Sequence, residues 1–118
     1  MNSKQKGKRG ELELVKELKK YGFNCRRTVQ YNGKAEEGEA DLIGLEGIHI
    51  ECKRVEKLNV YSALKQAIND CKNGNLPAVF WRKNKEDWVV ILQLDDFMKL
   101  YKKGDVRVEQ NTKTQGDM

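Results

Sequence analysis

Asp41, Glu51 and Lys53 are the residues from which chemistry can first be argued. The run Ile48, His49, Ile50, Glu51, Cys52, Lys53 alternates with the period of a strand. Ile48, Ile50 and Cys52 then share one face, and His49, Glu51 and Lys53 the other. Asp41 lies on the strand before, and the intervening loop decides where it points. A two-residue turn sets Asp41 opposite Cys52 on the core face. A three-residue loop of Leu45, Glu46 and Gly47 sets it opposite Glu51. The longer loop requires a left-handed glycine beside a bulge, and Gly47 stands at that place, so Asp41 and Glu51 are expected to be cross-strand neighbours. Like charges so placed repel. Two oxygen ligands, completed by waters and a phosphate, are nevertheless how Mg2+ is commonly held. Such an ion activates its bound water and stabilises developing charge. Lys53 beside it can contact a scissile phosphate or position the attacking water. The chemistry indicated is metal-assisted hydrolysis of a phosphodiester.

Glu11 is a third carboxylate of interest. A helix is predicted over residues 8–21, with Gly22 as its stop. Stepping about 100° per residue from Glu11 places Leu14, Val15 and Leu18 around it. Glu13, Lys16, Glu17 and Lys20 fall on the opposite side. A carboxylate within an apolar stripe is costly unless something satisfies it. Three explanations stand open: an ion pair with a buried Arg or Lys, a carboxylate near the helix-start dipole, or a carboxylate linked to a metal.

The elements that must position these groups follow from patterning. Residues 23–29 read as a strand, 30–39 as a polar mobile loop, and 40–44 and 48–54 as a hairpin. Asn59 is placed to cap a helix running to about residue 72. Residues 77–82 form a further strand, and 88–92 an apolar run expected of a strand buried on both faces. A short helix starts at Asp95 or Asp96 and ends near residue 103. Residues 1–110 are read as one domain and 111–118 as a disordered tail with almost nothing to bury. Helix, three strands, helix, two strands and helix predict an α/β sandwich around a mixed sheet.

The chain of 118 residues is 38% hydrophobic and 35% charged, enough for one modest core and no bilayer span. The first six residues lack an apolar signal-peptide core. Cys25, Cys52 and Cys71 are too scattered for a disulfide framework or zinc site and are expected as buried thiols in a reducing cytoplasm. A net charge of +5 favours polyanion partners, nucleic acid above all. Lys4, Lys6, Lys8 and Arg9 crowd the start, Arg26 and Arg27 adjoin, and Arg54 and Lys57 follow Lys53. These clusters are read as flanking a phosphate-binding surface, against the plainer reading of a solvated charged face. His49 should share the face of Glu51. Glu36, Glu37 and Glu39 read better as a solvated acidic loop than as ligands. Phe80, Trp81 and Trp88 read better as core or dimer interface than as base-stacking platforms. No GxxxxGK[ST] loop is present, which argues against nucleotide hydrolysis.

Together, Gly10-Glu11-Leu12, Gly22-Phe23, Arg27, Asp41 and Glu51-Cys52-Lys53 resemble the PD-(D/E)xK nuclease superfamily. Within it they are most similar to the archaeal-type Holliday junction resolvases and their phage-borne relatives. The resemblance spans residues 8–66 and continues more weakly through the last strands. It implies a restriction-endonuclease-like core with a mixed five-stranded sheet flanked by helices. It implies Mg2+, with Mn2+ able to substitute, bound by Asp41, Glu51 and the backbone carbonyl of Cys52. Lys53 would be the catalytic lysine, Glu11 would reach the metal through water, and Gln66 would match a glutamine some members carry near the site. Ala40 departs from the pattern, standing where the motif's name has proline. The implied activity is a DNA endonuclease selective for branched DNA, a homodimer because two symmetric nicks need two active sites. A nicking or restriction-like enzyme with another DNA target shares all of this chemistry. A non-catalytic DNA-binding module is the third reading, and the intact site residues argue against it.

Overall fold

The fold is that of a computed structural model describing residues 3–28, 40–72 and 74–104. The expected polar loop at 30–39, with Glu36, Glu37 and Glu39, and the expected tail at 111–118 lie outside the described residues. The elements are α1 (Ser3–Lys19), β1 (Arg26–Arg27), β2 (Leu42–Ile43), β3 (Ile48–Arg54), α2 (Val60–Asp70), β4 (Leu76–Arg82), β5 (Val89–Ile91) and α3 (Leu94–Lys103). The five strands form one mixed sheet in the order β1-β2-β3-β4-β5. Only β3 and β4 are parallel, joined by α2, and the other pairs are antiparallel. This is the expected α/β architecture.

Helix α1 ends as its sequence demands. Gly22 takes φ +93, the N–H of Phe23 donates to the Leu18 carbonyl at 3.3 Å, and that of Gly22 to Lys19 at 2.9 Å. This is the Schellman closure that a left-handed glycine permits. Its start corrects the expectation: α1 begins at Ser3, not near residue 8. Apolar spacing marks where a helix packs, whereas Lys, Gln and Arg extend it at little cost. Asn59 caps α2 as expected, its side chain accepting from the Ser62 N–H at 2.9 Å. Among the described residues of the predicted 23–29 strand, Arg26 and Arg27 are the ones that find partners on β2.

Each face of the sheet carries its own core. Leu14 of α1 packs with Cys25, Leu42, Ile50, Ala78 and Phe80. Ala63, Leu64 and Ala67 of α2 pack on Val79. The alternation of β3 and β4 therefore divides the sheet, with Ile50 and Phe80 under α1 and Val79 under α2. Trp81 joins the α2 side and Trp88 the α1 side. Of the cysteines, only Cys25 is fully buried; Cys52 and Cys71 are half-buried and all three are free thiols. β5 corrects a second expectation. It is an edge strand whose Val89 and Val90 are exposed, because an apolar run signals affinity for a covering surface without saying that the chain supplies one.

Gly10 marks the closest approach of α1 to the sheet. A Cβ there would stand 2.6 Å from Cβ of Arg54. Alanine gains about 1 kcal/mol in helix propensity over glycine, but this overlap falls on a carbon fixed to the backbone of β3. Gly10→Ala is therefore expected to lower stability in urea unfolding; a more stable variant would show that the helix can move outward freely.

Candidate active site

The β2–β3 hairpin has the three-residue connection. Leu42 pairs with Ile50, Gly47 takes φ +87, and Asp41, just before β2, donates its backbone N–H to the Ile50 carbonyl at 2.8 Å and lies close enough to Glu51 for its charge to act on that carboxyl. Leu42 and Ile50 are fully buried on the α1 side. The other side of β3 carries His49, Glu51 and Lys53, in register with Pro77, Val79 and Trp81 of β4. α2 covers the apolar part of that face, over β4. The polar stripe of β3 lies at the helix's margin, between α2 and β2.

Within the stripe His49 and Glu51 are buried, whereas Asp41 and Lys53 are half-buried. Glu51 is 4% exposed and His49 3%. Asp41 Oδ2 accepts from the backbone N–H of Cys52 at 2.8 Å, which ties the aspartate to the strand of its partner. Lys53 Nζ donates to Oε1 of Gln66 on α2 at 3.0 Å. His49 Nε2 lies 3.5 Å from Glu51 Oε1 and has no hydrogen-bond partner. Burial, and then the charge of Asp41, push the Glu51 carboxyl up to about 8, with Lys53 opposing. Burial also raises Asp41, against the Cys52 N–H and the Lys53 charge. Burial holds His49 below the usual imidazole value, so it is neutral at neutral pH and carries one N–H.

Glu11 reaches this region from the opposite layer. Its Oε1 accepts from Arg27 Nε at 2.6 Å. Burial raises its pKa, the Arg27 bond opposes that, and Asp41 adds to it. Of the three explanations for a carboxylate in the apolar stripe, the ion pair is the one seen, with Asp41 as electrostatic neighbour. The dipole explanation loses its basis. Eight residues of helix precede Glu11, so the helix start lies about 12 Å away at 1.5 Å per residue.

The basic residues sort differently from the expectation of a common phosphate-binding surface. Arg27 is committed to Glu11. Arg54 donates from Nε to Glu13 at 2.9 Å, from NH1 to Glu56 at 3.4 Å and from NH2 to Asn84 at 2.8 Å. Arg82 also donates to Glu13. Burial raises Glu13, but the bonds from Arg82 and Arg54 outweigh it and its carboxyl lies below the ordinary value. Glu13 was expected on the solvent side, and this cluster was missed because wheel geometry cannot see the ends of β3 and β4 closing over that flank. Arg26, Lys6, Lys8 and Arg9 are exposed. The last three ride on α1 itself rather than on a flexible leader, and Lys4 has no described side chain.

Among the described residues, no three His, Cys, Asp or Glu side chains converge closely enough to hold a metal by themselves. Asp41 and Glu51 are a pair, and a pair of hard oxygen donors sharing a site suits a divalent cation completed by backbone carbonyl, water and substrate. Their mutual repulsion is what such a charge would relieve.

The family model described as "Phage putative PDDEXK endonuclease" matches residues 2–117. Among solved structures the chain is similar to Hjc, a Holliday junction resolvase from the archaeal hyperthermophile Archaeoglobus fulgidus. The match has a TM-score of 0.56 and 23% identity, over 72% of this chain and 75% of that one. At this identity the likeness is one of fold. A comparison with curated proteins gave no match.

The Glu51 pKa has a sign that stability can read. Raised from 4.5 to about 8, it contributes stability that is full below the lower value and lost as pH rises through the higher one. The metal-free protein is expected to lose stability over that window. Glu51→Gln should remove that part of the slope and raise the thermal midpoint at pH above 8 in EDTA, with little change near pH 5. Equal midpoints for the two proteins across the window would mean Glu51 is solvated.

Proposed function

The chain belongs to the phage PDDEXK endonuclease family, and from that premise we propose that it is an endodeoxyribonuclease that cuts branched DNA with Mg2+, most specifically as a Holliday junction resolvase. The observation that carries the site assignment is Asp41 held by the Cys52 N–H at 2.8 Å close beside the buried Glu51, with Lys53 two residues on. In this reading Asp41, Glu51 and the Cys52 carbonyl hold the ion, and Mn2+ substitutes for it. The ion, when bound, supplies an acidified water and charge stabilisation.

The chain's own groups do the rest. The Cys52 N–H fixes one oxygen of Asp41. Gln66 holds the Lys53 ammonium beside the carboxylates, where it meets the scissile phosphate or orients the attacking water. Glu51 is protonated at neutral pH before loading, so cation binding displaces a proton and apparent affinity rises with pH up to about 8. His49 Nε2 lies 3.5 Å from Glu51 Oε1 and packs against that carboxyl. Glu11, held by Arg27, would face the ion's side of Asp41 and add negative charge there. A homodimer supplies the two sites that symmetric nicks require. Hjc, whose fold this chain shares, is named as a junction resolvase, which favours a four-way junction over flap, duplex or single strand.

The test is a panel of those four DNA forms with Mg2+. The junction is expected to be cut fastest, and Asp41→Asn or Lys53→Met to abolish cutting while binding in EDTA persists. Near-normal cleavage by either variant would overturn the site, and preference for another DNA form would overturn the substrate alone.

The grip has its own measurement. Each neutralised phosphate contributes about one unit to the log-log salt slope of binding. On the helix, Lys8 shares the Glu11 side whereas Lys6 and Arg9 turn away. Lys8→Ala is expected to reduce the slope by about one unit, and Lys6→Ala or Arg9→Ala to leave it nearly unchanged. Equal effects at all three positions would mean the DNA does not dock along that side of α1.

A further inference from the structure

Helix α3 turns its apolar side outward. The residue it buries is Asp96, whereas Leu94 is 74% exposed and Phe97 49%. Met98 and Leu100 are exposed beside them, and so are Val89 and Val90 on β5, the edge of the sheet. An apolar helix side next to an open strand edge is a surface that soluble chains cover. The segments flanking the sheet and helix offer few apolar side chains for it. Residues 105–118, which follow α3, hold only Val106, Val108 and Met118 as apolar side chains among charged and polar ones. Residues 29–39 are also mostly polar and follow β1, at the opposite edge of the sheet.

We propose that this surface seats a second copy of the chain, with the two α3 helices packed antiparallel about a twofold axis. The charges of the helix select that partner. α3 opens with Asp95 and Asp96 and closes with Lys102 and Lys103. Antiparallel helices set the start of each against the end of the other, so Asp95 meets Lys102 of the partner subunit, and symmetry makes the contact twice. Asp95 and Lys102 are seven residues apart, about two turns, and lie on the same flank of the apolar side. Antiparallel packing brings like flanks together, as this contact requires. A parallel pairing would carry these flanks to opposite sides of the seam and lose both contacts. Among the described residues Lys102 forms no ion pair, while Asp95 is 83% exposed and meets only Lys99 of its own helix, at 3.3 Å. The outward apolar side supplies the association, and the charged ends set its direction.

This deepens the two-copy reading above by naming the face, but it stands on the surface alone: a monomeric nuclease would fail the present test and still cut DNA. Sedimentation equilibrium of the full chain is expected to show a dimer. Phe97→Asp and Leu94→Glu, both at positions exposed in the single chain, should keep the circular dichroism spectrum and raise the dimer Kd more than about tenfold. Asp95→Lys and Lys102→Asp should each weaken self-association. Mixed together they should associate again as a heterodimer, because both crossed contacts become complementary. A monomeric wild type would overturn the proposal, as would a dimer indifferent to Phe97→Asp. A mixture that associates no better than its components would overturn the antiparallel arrangement.

Discussion

The pairing of Leu42 with Ile50 is the constraint from which the site follows. Strand side chains alternate, so a slip of one residue would carry Asp41 into the α1 core and Leu42 onto the polar stripe. Burial resists that slip, because Leu42 and Ile50 are fully enclosed. Turn geometry resists it as well. Gly47 occupies a left-handed conformation, and its carbonyl accepts from the Leu76 N–H at 2.8 Å, which anchors the hairpin to the start of β4. The Cys52 N–H bond to Asp41 then fixes the acidic side chain against the strand that carries Glu51. One register thus closes the core and brings two carboxylates together.

That arrangement carries a cost that the rest of the fold offsets. His49 and Glu51 sit in a layer where Pro77, Val79 and the α2 helix would otherwise favour apolar neighbours. Burying a carboxylate beside another is unfavourable by the measure of its raised pKa. Stability comes instead from the two apolar clusters and from the ion-pair network on the α1 side. There Glu13 joins Arg54 and Arg82, whose strands run parallel, so one carboxylate gathers the ends of β3 and β4 under the helix. Partly buried arginine–carboxylate contacts with fixed geometry are of the kind that contributes, unlike isolated surface pairs. The network also explains why nearness in sequence to Lys53 does not make Arg54 a DNA contact. It lies one residue beyond the lysine and on the opposite face.

The placing of the candidate site's side chains was largely legible in the sequence. Alternation through residues 48–53 showed that Glu51 and Lys53 project together, and Gly47 at the end of a three-residue connection chose the register that brings Asp41 to them. Gly22 marked the helix stop and Asn59 the start of α2 because each is a local backbone requirement. Two-residue and seven-residue spacings, left-handed glycines and side-chain caps are properties of short stretches, so the sequence states them directly.

Whatever depends on which elements meet was decided by the tertiary structure. The apolar run around β5 reads like a central strand, yet it is an edge, since hydrophobicity does not record whether a neighbour exists. Arg27 and Arg54 read like a DNA grip until Glu11 and Glu13 are brought against them from α1. Gln66 was matched to the site through the resemblance alone, and the packing of α2 beside β3 sets it on Lys53. Charge and apolarity in a sequence specify what a side chain needs, but its partner comes from distant segments. Only the closing of the two layers on the sheet determines which need is met by the chain itself and which is left for DNA, a cation or another copy.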